Sequence, residues 1–209
     1  MIEFTCSACG KKYTVPDAAA GRKAKCGCGE ILFVPAPAIA TPTPDVHQLV
    51  AAKIPMRARR LIADAKQMTA AFANFPLIRI KATTGDPPEI YQIEFQIHSL
   101  DRGKKAPVPR EQHLVEIQLT ADYPRLSPKC RMLTPIFHPN IDTATICVGD
   151  HWTAGERLVD LVIRIGEMLA YQAYNIKSPL NAEAAMWADL NGQKLPTDDR
   201  NLHPPELGE

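Results

Sequence analysis

The 209-residue sequence has no apolar run approaching the roughly 18 to 20 residues that a membrane-spanning helix needs. Its first residues, Met1-Ile2-Glu3-Phe4-Thr5-Cys6, lack the basic-then-apolar layout of a secretion signal, so a soluble, cytoplasmic protein is expected. Net charge is scarce too: 24 Lys and Arg stand against 23 Asp and Glu. Bulk attraction to nucleic acid or to an anionic membrane is therefore not a basis for function, and neither is an expected partner. No internal repeat is visible, and the length suits one ordinary domain plus something small.

Six cysteines would suit a disulfide framework in a small secreted chain, but four of them fall within the first 28 residues of a sequence without a secretion signal. Cys6-x-x-Cys9-Gly10 and Cys26-x-Cys28-Gly29 form two close pairs, and the glycine after each permits a tight turn that aims backbone amides at thiolate sulfur. Four thiolates saturate a tetrahedral zinc ion and leave no position for a substrate, so the expected role is a structural zinc ribbon folded by its metal. No organic cofactor is expected. A redox Cys-x-x-Cys is the competing reading; it lacks a strand-to-helix context and would make the second pair superfluous.

The chain is read as four regions. Residues 1–35 are the ribbon, and 36–54 a Pro- and Ala-rich linker favouring extended, semi-rigid conformations. Residues 55–190 are the main domain, and 191–209 an irregular tail rich in Pro and charge. In the main domain, Leu61, Ala65, Met68 and Phe72 predict an amphipathic helix whose basic outer side carries Arg57, Arg59, Arg60 and Lys66. Leu77 to Thr83, Ile90 to His98, His113 to Thr120 and a shorter stretch around Lys129 to Leu133 read as strands of an antiparallel meander. The clearest alternates Tyr91, Ile93, Phe95 and Ile97 with Gln92, Glu94, Gln96 and His98. Leu158, Leu161, Val162, Ile165, Met168 and Leu169 predict a second helix with a wide apolar face, and Asn181 the N-cap of a third. Helix, four strands, then helices is an α+β order.

Five stretches of the main domain resemble the ubiquitin-conjugating enzyme family in order and approximate spacing. They are Tyr123-Pro124-Arg125-Leu126-Ser127-Pro128-Lys129, Phe137-His138-Pro139-Asn140-Ile141, Ile146-Cys147, Trp152-Thr153 and Ser178-Pro179-Leu180-Asn181-Ala182-Glu183-Ala184-Ala185. The resemblance covers about residues 55 to 190 and implies the family's fold, with Cys147 holding a ubiquitin-like modifier as a thioester for transfer to an amine. It implies an activating enzyme, the modifier, a protein substrate and, where needed, a ligase as partners, and it resembles a divergent branch, of bacterial kind, serving a modifier other than ubiquitin itself. The basic first helix resembles the surface on which the family meets its activating enzyme.

The chemistry stands without the resemblance. A thiol near its free pKa of about 8.5 is only a few per cent ionised at neutral pH, yet thiolate is nucleophilic enough that exchange with another thioester needs no strong base. Attack by a lysine amine is harder, because protonation at pH 7 costs roughly 4 to 5 kcal/mol. The site must therefore orient the amine and stabilise an oxyanion. Asn140 is the candidate donor, since its carboxamide donates without titrating, and the resemblance assigns it that task. The resemblance makes His138 the loop-holding histidine and places Ser178 where the family positions the incoming lysine. Backbone readings compete: Pro-Asn turns occur for their own sake, Cys130 fits a core position, and Trp152 and Trp187 fit packing anchors.

The sequence departs from the family's pattern in places. The stretch from Asn140 to Cys147 is one residue shorter than usual and that from Cys147 to Trp152 shorter by several, while Arg125 and Ala154 replace the apolar residue and proline that many relatives present to RING-type ligases. Tyr171 to Lys177 is unlike the family. Two other functions compete: a conjugating-fold binding module that is catalytically weak or inactive, and a thiol hydrolase pairing Cys147 with His138 or His151.

Overall fold

The computed structural model describes residues 1–35, 54–142, 144–148 and 152–205. The linker expected at 36–54, apart from Ile54, lies outside the described residues, as do His151 and the last four residues of the tail. The chain divides into two units, Met1–Lys53 and Ile54–Glu209.

In the first unit, β1 (Ile2–Thr5) pairs antiparallel with β2 (Lys12–Val15), and β3 (Lys23–Lys25) with β4 (Ile31–Phe33). Each hairpin turns at one cysteine pair. Cys6 N–H donates to Lys11 O at 2.9 Å and Cys26 N–H to Glu30 O at 2.8 Å, closing both tips. Gly10 and Gly29 adopt φ of 72° and 96°, a region that costs an L side chain energy and glycine nothing. Cys6, Cys26 and Leu32, with Phe4 and Tyr13 against them, are the small apolar cluster of this unit.

The second unit opens with α1 (Met56–Phe72) and continues through β5 (Ile78–Thr84), β6 (Ile90–Asp101), β7 (Val108–Gln118) and β8 (Lys129–Met132), which pair antiparallel in sequence order. Then come α2 (Leu158–Leu169) and α3 (Ala182–Leu190). This is the α+β order expected from the periodicities. The Tyr91, Ile93, Phe95 and Ile97 stripe of β6 is buried, and α2 covers it with Leu158, Leu161, Val162, Ile165 and Leu169, all fully buried. Asn181 caps α3, its side chain accepting from Ala184 N–H at 3.1 Å.

The strand after β6 begins earlier than its alternation suggests. Beyond an irregularity between Gln96 and Ser99, Val108, Pro109 and Arg110 pair with Asp101, Leu100 and Ser99. The expected irregular tail has no strand or α-helix among its described residues, yet it is fixed on the domain. Leu202 is buried in the core, Thr197 donates to His98 O at 2.7 Å, and Asp198 accepts from His98 N–H at 2.9 Å.

The outer face of α1 differs from expectation. Its inward stripe is Leu61, Asp64, Met68 and Phe72, with Asp64 only 2% exposed. Arg57 and Arg60 are not a free basic surface. Arg57 donates to the carbonyls of Leu119 and Thr120 at 3.1 and 3.0 Å and pairs with Glu89. Arg60 donates to Asp64 at 2.8 Å, to Tyr123 Oη at 2.9 Å and to the carbonyls of Ala154 and Glu156. Loop carbonyls have lone pairs to spare for these guanidinium groups, whose five N–H donors can serve several at once. Arg59 and Lys66 alone of the four are exposed.

Candidate active site

Cys147 lies between the sheet and α2. Ile141 and Ile146 are buried and bridge each other, and Ile146 N–H donates to Cys130 O at 3.0 Å. The Asp142 carboxylate accepts from the N–H groups of Ala144 and Thr145 at 2.7 Å each, so the turn is held by its own side chain. Cys147 N–H donates to Asn140 O at 3.0 Å, and the next carbonyl, that of Val148, accepts from Arg164 of α2 at 2.9 Å. The backbone is thus pinned on both sides of an exposed thiol. Cys130 is the opposite case: buried, it has its thiol pushed up to about 12 by that burial, which makes it inert.

His138 is fully buried, and its Nδ1 accepts from Asn140 N–H at 3.1 Å. Burial pushes its pKa down to about 3, only partly opposed by the nearby Met168 backbone carbonyl, so the ring is neutral at ordinary pH. No hydrogen bond joins His138 to Cys147 among the described residues, and the Nδ1 lone pair is already used, which removes the His138 form of the hydrolase dyad.

Asn140 is 6% exposed and faces the loop after α2. Its Nδ2 donates to Asn175 O at 2.8 Å and, at a long 3.4 Å, to Ser178 O, while its Oδ1 accepts from Asn175 N–H at 2.7 Å. Ser178 is exposed. The structure therefore brings Cys147, Asn140, His138 and the Ser178 backbone together. Two further residues belong to the group: Asn175, the backbone clamp on Asn140, and Tyr171, whose hydroxyl donates to Phe137 O and whose ring lies edge-on to His138 at 4.6 Å. Only the unusual composition of residues 171–177 pointed to them.

Grooves of about 660 and 690 Å³ lie nearby. The first is lined by Leu126, Pro128, Thr145 and Val148, the second by Leu133, Ile141, Asp142 and Leu180. Trp152 anchors the far end, donating from its indole to Pro124 O at 2.8 Å and packing on Tyr123.

In the first unit, the sulfurs of Cys6, Cys9, Cys26 and Cys28 all lie within 4.8 Å of one another, a group that could hold a metal ion. Tyr13 Oη lies 2.9 Å from Cys26 Sγ.

The second unit is an α+β domain presenting one accessible thiol beside a buried asparagine and a neutral histidine. A family model described as ubiquitin-conjugating enzyme matches residues 79–195, more than half of the chain, and the chain belongs to that family. It is 36% identical over 76 residues to a probable ubiquitin-conjugating enzyme E2 of Acanthamoeba polyphaga mimivirus, covering 34% of this chain and 47% of that protein. It is 32% identical over 88 residues to ubiquitin-conjugating enzyme E2 N of Macaca fascicularis, covering 40% of this chain and 57% of that one. The chain spans about half the length of these relatives. Among solved structures, a ubiquitin conjugating enzyme E2 domain of Toxoplasma gondii aligns with a TM-score of 0.48 at 20% identity, over 65% of this chain and 88% of that one. No described helix is long and apolar enough to cross a membrane.

Proposed function

We propose that this protein accepts ubiquitin or a ubiquitin-like modifier as a thioester on Cys147 and transfers it to the amine of a target lysine. The observation that carries the reading is the exposed Cys147 thiol on a backbone hydrogen-bonded to Asn140, within the region matched to the family.

In the first step the Cys147 thiolate attacks the activating enzyme's thioester, forms a new C–S bond and releases the donor's thiolate. In the second, the neutral lysine amine attacks the Cys147 thioester carbonyl. A C–N bond forms, the oxygen carries the negative charge, the C–S bond breaks, Cys147 leaves as thiolate, and the ammonium proton passes to solvent. Asn140 serves this step with the Nδ2 hydrogen held only by the long 3.4 Å contact to Ser178 O, exchanging that weak partner for the oxyanion. His138, neutral and buried, holds the turn rather than moving a proton. Ser178, exposed on the loop, meets the incoming amine.

One observation favours a second reading, a binding module of low or no activity: both ends of the Asn140 carboxamide are occupied by the 175–178 loop. Adding free lysine to the charged protein separates the two. A transferase loses its reductant-sensitive adduct as lysine-capped modifier accumulates; a binding module holds the modifier without ever forming that adduct.

Zinc is the ion that the ribbon cysteines suit. A tetrahedron with Zn–S bonds of about 2.3 Å has S···S edges of about 3.8 Å. Two of the sulfur pairs here, Cys9 with Cys26 and Cys6 with Cys28, are 3.5 and 3.9 Å apart. With so small an apolar cluster, the unit draws its stability from the metal. The activating enzyme and, where required, a ligase are the partners this reading calls for; for the ligase, Leu126, 59% exposed, is the apolar contact that Arg125 does not supply.

A further inference from the structure

The C-terminus of α2 closes with two reverse hydrogen bonds, Tyr171 N–H to Met168 O and Gln172 N–H to Glu167 O, both 2.9 Å. This is a Schellman closure, whose left-handed position is usually glycine because an L side chain there brings its Cβ too close to the backbone. Tyr171 occupies it at φ 56°, the one non-glycine residue with positive φ among those described. Its side chain is nevertheless 1% exposed. The hydroxyl donates to Phe137 O, and the ring meets His138 edge-on. Four residues later the same loop supplies Asn175, whose N–H and carbonyl take both ends of Asn140. The 137–140 turn and the 171–178 loop are thus tied at two points, and Asn140 O receives the Cys147 N–H.

We infer that Tyr171 is a positioning residue for acyl transfer: acting through the 137–140 turn, it sets the Asn140 carboxamide against the Cys147 thioester. The inference rests on the transferase reading. It separates the two chemical steps, because thiol exchange needs only an exposed sulfur, whereas attack by an amine needs the oxyanion donor in place.

The test needs no activating enzyme. The full-length chain is loaded on Cys147 by exchange with an acyl-glycylglycine thioester of mercaptoethanesulfonate, whose thiolate is released, and discharge by free lysine is followed across lysine concentrations. A Cys147→Ala control subtracts loading elsewhere. In Tyr171→Phe, which loses only the hydroxyl, loading changes by less than about twofold, while discharge at saturating lysine falls about tenfold or more with the half-saturating concentration unchanged. Hydrogen exchange at the Asn140 and Asn175 amides speeds up in the same variant, and exchange within α2 does not. Tyr171→Gly, free of strain at this φ but without the buried ring, is expected to melt lower and to show the same slow discharge with loading retained.

Unchanged discharge and exchange in both variants overturn the inference. So does a uniform loss of loading, discharge and thermal stability, the mark of a merely structural residue. Failure of the underlying reading looks different: the loaded wild-type chain then discharges no faster than the same acyl group on N-acetylcysteine, and both proposals fall together.

Discussion

Asn140 and Asn175 are joined by a reciprocal pair of hydrogen bonds, side-chain Nδ2 to backbone carbonyl at 2.8 Å and backbone N–H to Oδ1 at 2.7 Å. A carboxylate in place of the carboxamide sets an acceptor against the Asn175 carbonyl. In Asn140→Asp, amide formation from loaded Cys147 is expected to fall about 10²–10³-fold while loading persists. The unmade buried hydrogen bond lowers stability by about 1–3 kcal/mol. Single-turnover rates together with a denaturant titration check both halves.

Arg60 and Arg59 are neighbours with opposite expected phenotypes. The Arg60 side chain is 19% exposed against a 3% exposed Asp64, so Arg60→Met strands a buried carboxylate and is expected to cost about 3 kcal/mol. Arg59 is exposed, and Arg59→Glu is expected to shift stability by less than about 0.5 kcal/mol. If an activating enzyme docks on this helix, Arg59→Glu slows charging without a change in melting temperature. Equal charging by that variant and the wild type argues against docking there.

Two buried histidines give the stability a defined pH dependence. Burial pushes His113 down to about 4, against its backbone bond to Arg110, and His138 down to about 3. The unfolded chain protonates both rings near their ordinary value of about 6.5, and the folded chain does not. Stability is therefore full above pH 6.5 and falls on acidification toward pH 4, by about 1.4 kcal/mol per pH unit for each ring. Denaturant midpoints at pH 7, 6 and 5 measure the slope, and His113→Phe is expected to roughly halve it.

The parts of the fold legible in the sequence are those where one physical effect acts alone. Alternation of Tyr91, Ile93, Phe95 and Ile97 against polar neighbours marks β6, because one sheet face is dry. Gly10 and Gly29 mark hairpin tips, because their φ is costly for other residues. The inward turn of Arg60 and the burial of Asp64 have no periodic signal, because a charge enters a core only when distant partners, here Tyr123 and the carbonyls of Ala154 and Glu156, satisfy it. The early start of β7 hides behind Pro109, and the docked tail behind its polar composition. In the candidate site, the family resemblance is what points to Cys147, His138, Asn140 and Ser178. The clamp from Asn175 is made by backbone atoms and carries no residue signature, and a tyrosine in a left-handed helix closure contradicts the preference by which such closures are recognised.

The ribbon is expected to bind one zinc per chain. Metal analysis of the protein as purified gives that ratio, and chelator treatment collapses the dispersed amide signals of β1 to β4 while those of β5 to β8 hold. Cys26→Ser lowers the ratio. A metal-free chain whose first 35 residues keep native exchange protection contradicts the metal's structural role.

The central claim is that one sulfur carries the acyl group. Intact-mass measurement of the chain after incubation with an activating enzyme, its modifier and ATP tests it directly. The account predicts a reductant-sensitive adduct on the wild type, a reductant-resistant ester on Cys147→Ser and no adduct on Cys147→Ala. A reductant-sensitive adduct that persists on Cys147→Ala contradicts it.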